Sequence, residues 1–152
     1  MQEILIDTGV QEFRVNGAGV LRFNPGDPNL YHRFFEAQET LAGYDEELNA
    51  KAAALDKQAG GAAEVLAMLK DYDGKIKALL GDIFGPENDF DAVLAGVNLA
   101  GVGANGKRVV QNLLEALTPI LRQGAEDSLR ATAAAAVSEA EAERESRESA
   151  AV

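Results

Sequence analysis

Three short runs near the start of the chain have the composition of β-strands. They are rich in β-branched residues or alternate between apolar and polar side chains, as the two faces of a strand require. The runs are residues 3–7 (E-I-L-I-D), 11–15 and 20–23. Asn16-Gly17 lies between the last two runs and tolerates the positive φ of a tight hairpin. The sequence therefore predicts a three-stranded antiparallel meander over residues 1–23, with one apolar face that another element must cover.

The meander should end at a strand-to-helix junction formed by Asn24, Pro25 and Asp27. Proline cannot donate a hydrogen bond to a β-ladder, so the strand stops there. Asp27 is a suitable N-cap, since its carboxylate accepts bonds from free N–H groups at a helix start, and Pro28 is tolerated at the first helical position. These residues are predicted to set the direction of the helix that follows.

Helical periodicity dominates the remainder of the chain. The first helix is predicted over residues 28–58 and ends at Gly60-Gly61, and a second over residues 62–84 should lie antiparallel to it. A short helix that begins at Asn88 or Asp89 should carry Phe90, Val93, Leu94 and Val97. A glycine-rich loop follows at residues 101–106, and a last amphipathic helix is predicted over residues 107–123. Pro119 should kink or divide that helix.

The apolar stripe of the first helix has the near-3.5 period of a coiled-coil seam. Most such stripes pack inside their own domain, here on the second helix and the sheet. The alternative is that part of the seam meets a second copy or a helical partner. The candidate partner-binding or self-association residues are Leu30, Tyr31, Phe34, Phe35, Leu41 and Leu48.

The composition changes at residue 124, beyond which Ala, Glu, Ser and Arg predominate. Such a segment has high helix propensity but little apolar surface to offset its ordering entropy. It is either a solvated single helix or a frayed tail. The predicted organisation is a single α+β domain over residues 1–123, with the meander at 1–23 packed on a helical part at 24–123, followed by a polar tail at 124–152.

The charge and composition exclude several functional classes. The net charge of −11, from 25 acidic and 14 basic residues, opposes binding to nucleic acid or to an anionic membrane. The absence of cysteine excludes disulfides and thiolate chemistry, and the single histidine, His32, excludes a histidine metal cluster. Residues 1–8 lack the features of a signal peptide, and no apolar run is long enough to span a bilayer. These features favour a soluble cytoplasmic protein.

The motifs that suggest chemistry are incomplete. Gly101 to Lys107 fits G-x-x-x-x-G-K, but Arg108 occupies the position where a P-loop needs Ser or Thr. Two acidic clusters, around Asp73 and Asp89, lack ligands that a calcium loop requires. His32 has no nucleophile and orienting carboxylate beside it in sequence. The sequence therefore predicts no catalytic residue, no cofactor and no metal, and a nucleotide site at the glycine-rich loop is a minor alternative.

The order of these motifs resembles the small tail assembly chaperones of long-tailed phages and prophages. The resemblance begins with R-F-N-P-G-D at residues 22–27, which leads from strands into a long helix. It continues with I-F-G-P-E at residues 83–87, a short apolar helix at 92–97 and an amphipathic helix at 109–121. Pro86 and the glycine-rich loop at residues 101–106 depart from the pattern of that family.

The resemblance covers about residues 1–123 and implies a non-enzymatic assembly factor. Such chaperones bind the long, largely helical tape-measure protein and help the tail-tube subunits to polymerise around it. It further implies a homo-oligomer in the host cytoplasm that is not retained in the mature virion. The alternative function is a structural virion protein, such as a tail-completion or connector subunit.

Overall fold

A computed structural model describes residues 1–57 and 61–150. The elements in chain order are β1 (Gln11–Val15), β2 (Gly19–Phe23), α1 (Pro28–Leu55), α2 (Gly61–Phe84), α3 (Phe90–Val93) and α4 (Val109–Ala150). The expected mixture of a small antiparallel sheet with a mainly helical body is confirmed. Gln58 and Gly60, predicted to end the first helix and begin the loop after it, lie outside the described residues.

The sheet contains two strands, so the prediction of a three-stranded meander is wrong. β1 and β2 form an antiparallel hairpin in which Gln11 pairs with Phe23 and Val15 with Gly19. Asn16 and Gly17 have φ angles of 51° and 77°, and the Ala18 N–H donates to the Val15 carbonyl at 3.2 Å. The predicted hairpin turn is therefore confirmed.

Residues 3–7, the predicted first strand, lie outside the sheet. Strand propensity reflects the fit of a side chain to a pleated, half-buried surface, and the fold offers no such surface to this segment. Asn24 Nδ2 donates to the Thr8 carbonyl at 2.9 Å and holds the chain beside the end of β2. The segment therefore continues past the end of the hairpin and does not turn back along β1.

The strand-to-helix junction forms as predicted. The Asp27 carboxylate accepts the Asn29 N–H at 2.9 Å and caps α1, whose first residue is Pro28. Asn24 Oδ1 accepts the Gly26 N–H at 2.9 Å, which tightens the turn around Pro25. All of these contacts are local, and this explains why the sequence was sufficient to predict them.

The core lies between the hairpin and the helices. α1 and α2 are antiparallel, since Arg33 Nε reaches the Ile83 carbonyl at 3.0 Å near one end and Lys51 Nζ reaches the Tyr72 hydroxyl at 2.9 Å near the other. The large side chains with the least exposure come from β2, from all of the long helices and from the loop before α4. They are Leu21, Phe34, Leu48, Ile76, Leu80, Leu99 and Leu121.

The predicted short helix is shorter than expected. Its N-cap is Asp89, whose carboxylate accepts the N–H groups of Asp91 and Ala92, and α3 ends at Val93. Val97, predicted to lie on its apolar face, falls outside the helix and is exposed. The cause is visible at Ala95 and Gly96, whose φ angles of 53° and 77° are incompatible with a continuing helix.

Pro119 does not divide the last helix, because α4 is continuous from Val109 to Ala150. A proline removes only its own N–H from the backbone ladder, and the turns on either side retain theirs. Beside it, Thr118 Oγ1 donates to the Leu114 carbonyl at 2.7 Å. The predicted end at residue 123 is also wrong, since the helix runs on into the polar segment.

The polar segment is a solvated single helix as far as the structure describes it. Residues 129–150 are all exposed, and they add about 33 Å of helix beyond the packed body. Of the two alternatives for this segment, the solvated helix is therefore the observed one. Residues 151–152 lie outside the described residues.

Candidate interaction surfaces

Four of the six candidate partner residues are buried inside the chain. Leu30, Phe34, Leu41 and Leu48 belong to the hydrophobic core, where they pack among residues of the hairpin, α2 and α4. They are not at the surface of the folded chain, so any part of the seam that meets a partner would have to include other residues. The structure agrees with the core interpretation of the stripe.

The other two candidates, Tyr31 and Phe35, are partly exposed and form one aromatic cluster. Their ring centroids are 4.6 Å apart, and Phe35 also packs edge-on against the buried Phe34 at 5.1 Å. The guanidinium of Arg122 lies 5.9 Å from the centroid of Phe35 and brings α4 against the cluster. The start of α1 and the middle of α4 therefore share a half-buried aromatic patch.

A shallow groove adjoins this patch. It has a volume of about 330 Å³ and lies between the first turn of α1 and the point where α4 leaves the body. Its lining residues are Gly26, Asp27, Pro28, Tyr31, His32, Ala125, Ser128, Leu129 and Thr132. Leu129 is 71% exposed at its outer rim. The groove therefore offers a mainly apolar surface with few charges.

A strand-like segment at the start of the chain carries large apolar side chains that are strongly exposed. Ile4, Leu5 and Ile6 are exposed by 84%, 85% and 75%, and Val10 by 53%. Isolated exposed apolar residues are ordinary on protein surfaces, but three consecutive ones are not. The strand-like pattern of this segment predicts a place in the sheet, whereas the structure leaves it at the surface.

The two cations that follow the glycine-rich loop are both bonded to other groups of the chain. Arg108 Nη1 donates to the Ala100 carbonyl at 2.7 Å, Nη2 donates to Asn49 Oδ1 at 2.8 Å, and Nε is paired with Asp45. Lys107 Nζ is paired with Glu115 at 3.0 Å. Both cations therefore serve to attach the loop to α1 and α4. A phosphate would have to displace these carboxylates and amides.

Polar clusters elsewhere connect the helices. The Tyr72 hydroxyl donates to Glu47 at 2.5 Å and accepts from Lys51 at 2.9 Å, and these contacts join α1 to α2. The hydrogen bond with Tyr72 raises the pKa of Lys51, with a smaller contribution from the charge of Glu47. Within residues 1–57 and 61–150, no group of three or more His, Cys, Asp or Glu side chains could hold a metal ion.

Lys77 is the centre of a second cluster, which attaches α2 to α3 and to the loop before α4. Its ammonium group lies 2.8 Å from Asp73 and 2.7 Å from Asp91. The other oxygen of Asp73 accepts the Leu99 N–H at 2.7 Å. Burial lowers the pKa of Lys77, but the hydrogen bonds to the two carboxylates outweigh it and raise the pKa above its ordinary value.

Replacing Lys77 by methionine is expected to lower the free energy of unfolding by about 1.5 kcal/mol, because the half-buried Asp73 loses its counter-ion while Asp91 is largely solvated. The raised pKa means that the contribution of Lys77 is complete below the unfolded-state pKa near 10.5 and is lost as pH rises through the folded-state pKa. Urea unfolding measures both effects. The control is Lys70→Met, an exposed lysine of α2. Equal stability of the two variants would contradict this role for Lys77.

No helix in the described part of the chain combines the length and apolar character needed to cross a membrane. Comparison with protein-family models, with curated proteins and with solved structures gives no match for this chain.

Proposed function

We propose that this protein is a non-enzymatic tail assembly chaperone of a long-tailed phage or prophage. It would bind the tape-measure protein, help tail-tube subunits to polymerise around it, and act as a homo-oligomer in the host cytoplasm. The proposal rests on the sequence resemblance over about residues 1–123. Two exposed elements of the surface, the start of the chain and the second half of α4, support it. A further support is that Lys107 and Arg108, the cations beside the glycine-rich loop, are bonded to groups of the chain itself.

The structural observation that most supports the proposal is the exposed half of α4. Residues 129–150 form a helix in which every residue is exposed, and a helix in this state can align with a helical client. Leu129, Ala133, Ala136 and Ala140 recur at intervals of four and three, the spacing of a coiled-coil seam. The strongly acidic charge would keep such a complex soluble around an apolar client.

The test is co-expression with the tape-measure protein of the same phage. The chaperone is expected to keep the tape-measure protein in the soluble fraction and to co-purify with it. The double variant Leu129→Asp with Val137→Asp should abolish this effect while leaving the thermal unfolding of the chaperone unchanged, because both side chains are exposed. Leu66→Asp, at an exposed apolar position of α2, is the matched control and should retain the effect. An insoluble client in the presence of wild-type protein would contradict the proposal.

Mass spectrometry of purified particles separates this function from the alternative of a structural virion protein. A chaperone leaves during assembly, so its peptides should be absent from mature tails while tube and tape-measure peptides are abundant. Stoichiometric recovery with the particle would instead favour a tail-completion or connector subunit.

A further inference from the structure

The small sheet has one open edge, which belongs to β1. The outer edge of β2 is occupied: the Arg22 N–H donates to Asn88 Oδ1 at 2.8 Å, and the Arg22 carbonyl accepts from Asn88 Nδ2 at 2.8 Å. At Gly19 the Val93 carbonyl approaches so closely that an added Cβ would lie 2.0 Å from its oxygen. Asn88 therefore prevents a third strand from pairing with β2 at Arg22.

The register of the hairpin identifies which backbone groups of β1 face outward. Arg22 directs its N–H and carbonyl away from β1, so its partner Glu12 makes no ladder bond with β2. The same alternation applies to Arg14, two residues further on. Both residues are exposed, and within the described part of the chain no group is hydrogen-bonded to their backbone N–H or carbonyl. An open edge of this kind is a template for another strand.

The same chain carries an unpaired segment suited to that edge. Residues 3–7 are as long as the five-residue β1, and their three central side chains are apolar and at least 75% exposed. This segment cannot reach β1 of its own chain without breaking a contact. Thr8 is bonded to Asn24, and Gly9, with φ 76°, lies against the Asn24 side chain, so the chain leaves on the β2 side of the hairpin.

We propose that residues 3–7 of one copy pair with the open edge of β1 in a second copy, and that the exchange is reciprocal. Each molecule has one such segment and one open β1 edge, so a two-fold dimer pairs each segment with an edge and makes residues 3–7 the outer strand of each sheet. This inference concerns self-association through the sheet and does not depend on the proposed function.

The side chains are complementary in this arrangement. Phe13 and Val15 are half-buried on the inner face of β1, where Phe13 stacks on Phe23 at 4.5 Å. Ile4 and Ile6 point to one face of an extended strand and would extend this apolar face outward.

The opposite face of the same strand carries Leu5 between two acidic residues. Glu3 and Asp7 would lie on the outer face beside Arg14, which forms no ion pair with any described carboxylate. An Arg22–Glu12 pair at 3.1 Å already occupies that face within the hairpin.

Light scattering coupled to size exclusion tests the proposal on the full chain. We expect a dimer. Ile4→Asp with Ile6→Asp should raise its dissociation constant at least about ten-thousandfold, since the reciprocal dimer buries four isoleucines and each contributes a factor of about ten or more. Leu66→Asp alters a comparably exposed apolar residue of α2 and should leave the dimer intact. A monomeric wild type, or a dimer insensitive to the double variant, would overturn the proposal.

Amide hydrogen exchange locates the contact. The N–H groups of Glu12 and Arg14 should be protected in the wild type and exchange rapidly in the Ile4→Asp, Ile6→Asp variant. Glu12→Pro removes one outward donor without removing a β1–β2 ladder bond, and should yield a folded monomer. Rapid exchange of both amides in a wild-type dimer would place the dimer contact elsewhere and refute strand exchange.

Discussion

Replacing Gly124 by alanine is expected to lower the free energy of unfolding by about 2–3 kcal/mol. Gly124 is buried where α4 crosses the strand-to-helix junction, and a Cβ built on it would lie 2.0 Å from the Pro25 carbonyl oxygen and 2.3 Å from its carbon. These are backbone atoms in a turn already fixed by Asn24, so they cannot move aside as the end of a flexible side chain could. Either α4 or the junction must shift.

The sign of this effect makes the prediction specific. In a helix interior alanine is normally better than glycine by about 1 kcal/mol, so a helix that merely passes through solvent would be stabilised by the change. Gly74→Ala is the matched control. Gly74 lies in the interior of α2 and is exposed, and a Cβ there would meet nothing within 4 Å. Urea unfolding should show Gly74→Ala as more stable than the wild type. A similar gain for Gly124→Ala would show that α4 does not approach Pro25.

Sequence reasoning succeeded where the deciding contacts are local. The cap at Asp27 involves residues two positions apart, and the Asn16-Gly17 turn spans four residues. The local sequence is therefore sufficient to predict both. The period of the apolar positions predicts the bounds of α1 and α2 to within a few residues, because the amphipathic pattern of a helix depends only on its own residues.

The failures involve contacts that are distant in sequence. Nothing near residues 3–7 indicates that Asn24 bonds Thr8, the contact that holds this part of the chain beside the end of β2. The change of composition at Gly124 predicts a boundary between a packed domain and a tail, but its buried position marks the contact of α4 with the junction. From the sequence alone, a glycine that ends a helix cannot be distinguished from one that allows another segment's backbone to pack closely against the helix.

The candidate surface was only partly predictable for a related reason. The seam of α1 has the same period whether its partner is α2 or another chain, and periodicity does not name the partner. The structure assigns Leu30, Phe34, Leu41 and Leu48 to the core and leaves Tyr31 and Phe35 partly exposed. The strand-like sequence of residues 3–7 predicts pairing within the sheet, and so it does not reveal the exposed apolar surface that these residues form.

Replacing Asn88 by alanine is expected to cost about 3 kcal/mol of unfolding free energy. Asn88 is 5% exposed and is the one buried polar side chain among the described residues. Its amide bonds both backbone groups of Arg22, and Nδ2 also donates to the Phe84 carbonyl at 3.0 Å. Alanine removes all three bonds at once, and each buried backbone group left without a partner costs about 1–3 kcal/mol.

Asn88→Asp separates loss of packing from loss of hydrogen bonds. The carboxylate can still accept the Arg22 N–H, but it loses both donations and faces two carbonyl oxygens, so its folded-state pKa should rise. A raised carboxyl pKa means that the variant is least stable above the folded-state pKa and recovers part of its stability as pH falls through it. Asn29→Ala, at an exposed position in the first turn of α1, is the control and should cost less than about 0.5 kcal/mol.

Thermal unfolding across pH distinguishes the outcomes. If Asn88→Ala and Asn29→Ala have equal stability, Asn88 does not join the hairpin to the α2–α3 turn. If it does join them, the loss of Asn88 also frees the outer edge of β2 at Arg22, and the sheet then has two open edges instead of one. The Asn88→Ala protein should consequently form aggregates larger than a dimer on warming, because strands with two open edges can pair without closing a two-fold assembly.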